Sequence, residues 1–249
     1  MMVLGWPRVS VWALCSWCAL AGAPAWAQRD VPGVTDPAVS EALLGRLETH
    51  AEGLHQMEKR GSFLLSGKMD ELDGSGSVSG TKELVVRITA RPTERVTEIL
   101  KYLEDGVDKT EEARAKQKRR EAEPDDPKKR FMLPFSRAAK NRYRFEVAER
   151  NLKSPTLVRV RFIPLERAEN MFTGSAWVDQ ERGEILTMIL SPTKTPLFVD
   201  KVEVSVVFEN PTSLGRAPSE ITFEARGSLL FFKKRYRGSA TLTEAQISF

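Results

Sequence analysis

The chain has 249 residues, with 38 Lys and Arg against 34 Asp and Glu and a formal net charge of +4. That balance is too even to argue for a nucleic-acid-binding surface. There are two cysteines, Cys15 and Cys18, both close to the N-terminus. The remaining chain has no disulfide framework to lean on and must be held by its core, for which about 220 residues suffice as one domain.

Arg8 is the sole charge before Gln28. An apolar run follows it and ends in Ala25-Trp26-Ala27. This is the layout of a secretory signal peptide with an A-x-A cleavage site, over residues 1–27. The mature chain is expected to begin at Gln28 and to lie in the periplasm or outside the cell. Removal of Arg8 leaves 37 basic against 34 acidic side chains. No later stretch is apolar enough to cross a membrane as a helix.

After a loose leader, Asp36-Pro37 suits a helix start. Val39, Leu43, Leu47, Leu54 and Met57 then fall on one helical stripe. His50 lies near its middle, Gly53 at its edge and Gly61 at its end. Residues 37–60 are therefore read as an amphipathic helix that covers a sheet, with Gly53 allowing close approach. Beyond it the apolar period becomes two. "GSFLLSGKMDEL" and "VSGTKELVVRITA" flank a turn at Asp73 to Gly76, and "RVTEILKYLED" is a third strand. Asp108 with Glu111 reads as a capping box for a charged helix from Lys109 to about Glu123, ended by Pro124 to Pro127. Charges of both signs mix from Asp105 to Arg130, and the plain reading is a solvated helix.

The second half alternates almost throughout. "RYRFEVAE", "TLVRVRFIP", the hairpin "FTGSAWVDQERGEILTMIL", "VDKVEVSVVFEN", "SEITFEARGSLLFFKKR" and "YRGSATLTEAQISF" read as successive strands of an antiparallel meander, one face toward a core. No internal repeat is present.

Catalytic signatures are missing. His50 and His55 sit five apart, about 140° around a helix, so they do not face one metal ion. His50 is expected to pack on the sheet and His55 to face water. There is no G-x-S-x-G and no phosphate loop, and Asp179 and Glu184 beside a polar turn read as solvated. The chain is read as non-enzymatic, without metal or cofactor. Aromatic residues instead run through consecutive strands: Phe172, Trp177, Phe198, Phe208, Phe223, Phe231 and Phe232. They are either an ordinary core or the lining of an apolar pocket.

The hairpin "GSAWVDQERGEILTMIL", with Trp177, Val178, Asp179 and Gly183, and the final strand "RYRGSATLTEAQISF" resemble the periplasmic lipoprotein-carrier superfamily, the LolA/LolB-like proteins and the sensors of that fold. The resemblance spans residues 37–249. It implies an α+β fold: a strongly curved antiparallel sheet, or half-open barrel, with the first helix and the short charged helix packed as a lid. That gives one domain over 28–249, with an insertion at about 107–130. It also implies an apolar cavity for an acyl chain of a lipid or lipoprotein, and carries over no binding residue. The candidate cavity or lid residues are Leu43, Leu47, Leu54, Met57, Phe172, Trp177, Met188, Phe208, Phe223 and Phe231. The hairpin itself is expected to be scaffold, with Trp177 in the core or cavity wall and Asp179 shaping the turn. A second reading is a module for an envelope protein partner or stress sensing, with a filled core and no lipid. A third is a small outer-membrane barrel.

Overall fold

The computed structural model describes residues 38–91, 94–121, 132–168, 170–195, 199–229 and 232–247. Helix α1 spans Glu41–Arg60. Its N-cap is Ser40, whose hydroxyl accepts from the Leu43 N–H at 3.3 Å. The helix therefore starts later than the Asp36-Pro37 signal, which lies outside the described residues. Glu41 in the first turn and Lys59 and Arg60 in the last complement the helix dipole. Gly61 caps the end through its N–H to Met57 O. A Cβ at Gly61 would lie 2.5 Å from that same oxygen. The chain passes from there straight into the sheet.

Strand β1, Gly61–Leu72, turns at Asp73 into β2, Val78–Arg91. The Asp73 carboxylate accepts from the N–H groups of Ser75 and Ser77, and Gly76 takes φ +89°. β3, Glu94–Glu104, follows. Asp105 and Gly106, both at positive φ, then reverse the chain into the two-residue β4, Val107–Asp108. Helix α2, Thr110–Glu121, comes next. The meander of the second half is β5, Tyr143–Arg150; β6, Leu157–Pro164; β7, Phe172–Asp179; β8, Glu184–Pro192; β9, Val199–Thr212; β10, Gly215–Leu229; and β11, Phe232–Ile247.

All eleven belong to one antiparallel sheet in the order β4-β3-β2-β1-β11-β10-β9-β8-β7-β6-β5. The expected meander is thus two meanders, joined where the first strand pairs with the last, Leu65 opposite Leu242. One expected strand is really two. "SEITFEARGSLLFFKKR" contains the end of β10 and the start of β11, with Leu229 paired to Phe232. The lost alternation falls where the chain reverses between the two strands.

The inner face is apolar over most of the sheet and gives way to Glu71, Lys82 and Lys234 at one end. One level runs Leu84, Gly67, Ala240, Ile221, Val206, Met188, Ala176, Val160, from β2 to β6. The outer face carries ion pairs such as Arg237–Asp70 and Arg161–Glu146. Bulges interrupt several ladders, including β2–β3, β7–β8 and β9–β10, and each bends its strand. A single core cluster joins Ile99 and Tyr102 of β3 to Tyr143 and Phe145 of β5. Among the described residues neither end strand pairs with the other, and the sheet is open. An apolar interior with a charged exterior is the reverse of a membrane barrel, which argues against the outer-membrane reading.

The second helix differs from expectation. It was expected on the inner face as part of a lid. It lies instead along the outer edge of β3. Arg114 Nε donates to Ile99 O at 2.9 Å, Gln117 Nε2 donates to Thr97 O, and the Tyr102 N–H donates to Thr110 Oγ1 at 2.9 Å. These side chains occupy backbone groups of β3 that the short β4 leaves unpaired. The reason is compositional: the helix has no apolar stripe to bury, and Ala113 alone packs partly on the core. Its start is also shifted from the expected capping box. Asp108 Oδ1 accepts from the Thr110 N–H at 2.8 Å, while Glu111 pairs with Arg114. At the other edge, Ala38 bridges to Glu146 of β5. Covered edges are a defence against strand-to-strand aggregation. The double variant Arg114→Ala, Gln117→Ala is accordingly expected to aggregate as sheet on heating just below its melting temperature. Thioflavin T fluorescence measures this, and a signal equal to wild type would show that the two side chains do not protect the edge.

Candidate functional site

The stripe of α1 faces the inner side of the sheet. Leu43, Leu47 and Leu54 are buried, and Met57 is half-buried beside Thr212 at the end of β9. Phe208 of β9 and Met188 of β8 are buried in the same core. Leu47, Met188, Phe208, Val86 and Ile185 have 0% exposure, so no water-sized space lies against them. Around these residues the seam between helix and sheet is filled.

Small residues set how close the helix comes. A Cβ at Gly53 would lie 2.7 Å from Leu214 O, in the turn from β9 to β10. The expected close approach is therefore real, and it is made to backbone. Gly183, at φ +70°, closes the β7–β8 turn where Arg46 passes; a Cβ there would lie 2.3 Å from Arg46 Cβ. Arg46 Nε donates to Gln180 O at 3.1 Å.

His50 packs on the sheet as expected, at 5% exposure. Its Nδ1 accepts from the Ile185 N–H at 3.0 Å, and its Nε2 lies 2.8 Å from Arg216 O. The Phe208 ring approaches edge-on at 6.3 Å between centroids. Burial, the largest influence, pushes the imidazole below the ordinary histidine range against the opposing pull of Arg216 O and Glu184. His55 is exposed, 3.6 Å from Glu58. Among the described residues no group of three His, Cys, Asp or Glu side chains is placed to hold a metal ion.

A second covering element was missed in the sequence. Residues 132–142 fold back as turns, and Leu133, Phe135 and Ala139 are buried. Phe135 stacks on Phe145 at 5.2 Å and meets Phe162 edge-on at 5.8 Å. The apolar "FMLPF" beside a proline loop was the available signal. This segment is tied to the helix by charge. Arg137 Nε donates to Glu48 at 2.8 Å, Lys140 Nζ reaches the same carboxylate, and the Arg137 N–H donates to Glu52 at 3.0 Å. The Arg137 bond first, then that from Lys140, holds the Glu48 carboxyl below the usual carboxylate range.

The other candidates divide. Phe223 and Phe172 are buried on the inner face, further along their strands from the end that α1 crosses. The Phe223 ring lies over Gly238, where a Cβ would stand 2.3 Å from Cε1. The Phe172 N–H donates to the Tyr143 hydroxyl at 3.2 Å. Trp177 is a correction. It is half-buried between buried Ala176 and Val178, so it points outward, with the Arg159 guanidinium over its ring at 5.9 Å. It is neither core nor cavity wall. Thr187, opposite Trp177 in the ladder, also faces outward rather than inward. Phe231 and Phe198 lie outside the described residues. Asp179 shapes the turn as expected, its Oδ1 accepting from the N–H groups of Glu181 and Arg182. Glu184 pairs with Arg216 at 3.3 Å.

Among the described residues no helix is long and apolar enough to cross a membrane. No family model matches the chain, and no curated protein matches it. Among solved structures it is similar to a DUF1329 family protein from Desulfovibrio piger, at a TM-score of 0.41 and 8% identity, over 84% of this chain and 94% of that one. It is similar to a LolA superfamily protein from Nitrosomonas europaea at a TM-score of 0.33 and 9% identity, over 82% and 94%. The Pseudomonas aeruginosa MucA/MucB complex contains a further similar chain, at a TM-score of 0.23 and 13% identity, over 81% and 94%.

Proposed function

We propose that this is a non-enzymatic, exported protein of the cell envelope that takes up an acyl chain, from a lipid or a lipoprotein, between α1 and the inner face of the sheet. Residues 1–27 serve as a cleaved leader, and 28–249 form the single binding domain. The observation that carries the reading is the construction of the seam. One helix covers an apolar strip that reaches from Val86 of β2 to Met188 of β8. Five strand spacings of about 4.8 Å make that strip roughly 24 Å long. The seam is filled when the helix is down, so the chain enters by displacing α1 and substituting for its leucines. Each methylene that leaves water contributes roughly 0.8 kcal/mol, which offsets the lost helix contacts. Residues 132–142 keep the neighbouring limb covered, and Glu48 and Glu52 must part from Arg137 and Lys140 as the helix moves.

The expected result is saturable binding of a fluorescent fatty-acid probe to the folded mature protein after lipid extraction. Mass spectrometry of the extract should identify the natural occupant. A second reading has its own support: the close packing of the seam around Leu47 and Phe208 suits a module that binds an envelope protein partner and no lipid. Folded, stripped protein that binds no probe would remove the carrier reading and leave that one.

A further inference from the structure

His50 has both ring nitrogens engaged. A backbone N–H can only donate and a carbonyl can only accept. The Ile185 N–H at Nδ1 and the Arg216 carbonyl at Nε2 therefore require a bare Nδ1 and a protonated Nε2, the neutral ring in one tautomer. Ile185 lies at the start of β8 and Arg216 at the start of β10, on either side of β9. One imidazole thus pins the middle of α1 to two strands that are not neighbours. The ring is closely held. Gly215 sits at φ +101°, and a Cβ there would lie 2.9 Å from His50 Cδ2.

We infer that His50 is a proton-operated latch on α1: a second proton on its ring releases the helix and opens the seam beneath. This rests on the lid reading of α1. A proton at Nδ1 turns both nitrogens into donors, and the new N–H would face the Ile185 N–H. That bond is lost, a backbone donor is left without a partner, and a charge is placed against Phe208 away from water. Each change is unfavourable. In the released helix the ring meets water and takes the proton freely.

The groups around the ring set the direction. Glu184 faces it from β8 and draws a proton toward it, but is itself paired with Arg216 from β10. β9 contributes the uncharged Phe208. On α1, the neighbouring Arg46 is turned to Gln180 O. Burial outweighs Glu184, so the docked ring binds a proton less readily than a free one. The docking contributed by His50 is therefore full above the ordinary histidine value of about 6.5. It is lost progressively as pH falls from there toward the lower docked value. The released fraction therefore rises between about pH 7.5 and about pH 5.5, by at most about tenfold, the ceiling set by a ring that takes no proton while docked.

Hydrogen exchange read by mass spectrometry on the mature protein tests this, with rates corrected for the intrinsic pH dependence. Protection of residues 41–60 is expected to fall across that range, by up to about tenfold, while protection of 199–212 holds. In His50→Gln, the amide can still accept from Ile185 and donate to Arg216 but does not titrate, so the pH response should vanish. In His55→Gln it should persist. An α1 whose protection ignores pH, a response that survives His50→Gln, or parallel loosening of 199–212 would each overturn the latch. If His50→Gln does not fold, wild type and His55→Gln still decide through the contrast between the two segments. Probe binding separates this from the carrier reading. A pH-responsive α1 without probe binding removes the carrier and keeps the latch. Saturable binding with a static α1 does the reverse.

Discussion

Leu47→Asp undocks helix α1 and lowers the stability of the protein by at least about 3 kcal/mol. Leu47 has 0% exposure and lies in the same cluster as Leu43, Leu54 and Phe208. Truncating such a leucine alone typically costs about 2–5 kcal/mol. The aspartate adds a carboxylate that must stay in the seam without a partner or drag the helix out into water. Urea unfolding followed by circular dichroism measures the loss, with Gln56→Asp on the exposed face of the same helix as control. That control should shift the midpoint by less than about 0.5 kcal/mol. Equal effects of the two substitutions would mean that the seam does not hold the helix.

The two glycines of α1 should respond to alanine with opposite signs. Gly45 is exposed, with nothing within 4 Å of an added Cβ. Gly45→Ala gains helix propensity and stabilises by about 1 kcal/mol. Gly53→Ala carries the same gain but drives its methyl to 2.7 Å from Leu214 O and 3.3 Å from Leu214 Cβ. The obstacle is the backbone of a turn, not a flexible side-chain end. Either the β9–β10 turn shifts or the helix lifts, and lifting also lengthens the bonds of His50, one turn earlier. A net loss of about 1–2 kcal/mol is expected. Thermal unfolding of the pair checks it, and stabilisation by both substitutions would show that the close approach at Gly53 costs nothing to relieve. Under the lid reading, Gly53→Ala should also bind the fatty-acid probe more readily, because its helix is already partly raised.

Much of the candidate site was written in local periodicity. The stripe of Leu43, Leu47 and Leu54 has the helical period, and His50 sits within it, so its burial followed. Strand parity held information that the aromatic pattern obscured. Phe172 and Trp177 are five apart on one strand and so stand on opposite faces in a regular ladder. Once Met188 is inward, Thr187 beside it turns out. The reversal between β10 and β11 was hidden for another reason. Its residues, Leu229 to Phe232, are apolar like the strands on either side, with no glycine, proline or asparagine to mark a turn.

From the sequence alone came the first helix, nearly every strand and, for strands that alternate cleanly such as β5, β6 and β9, the side that avoids water. All of these depend on neighbours within a few residues, where side-chain chemistry and chain geometry act together. Only the tertiary structure decided that β1 lies against β11, that α2 guards the edge of β3, and that residues 132–142 share the cover with α1. These choices are made between segments far apart in the chain, and several are made to backbone. The partners of His50 are the N–H of Ile185 and the carbonyl of Arg216, groups that almost every residue carries alike. Nothing in the identity of those two residues advertises the role, because the fold brings their backbones, not their side chains, to the imidazole.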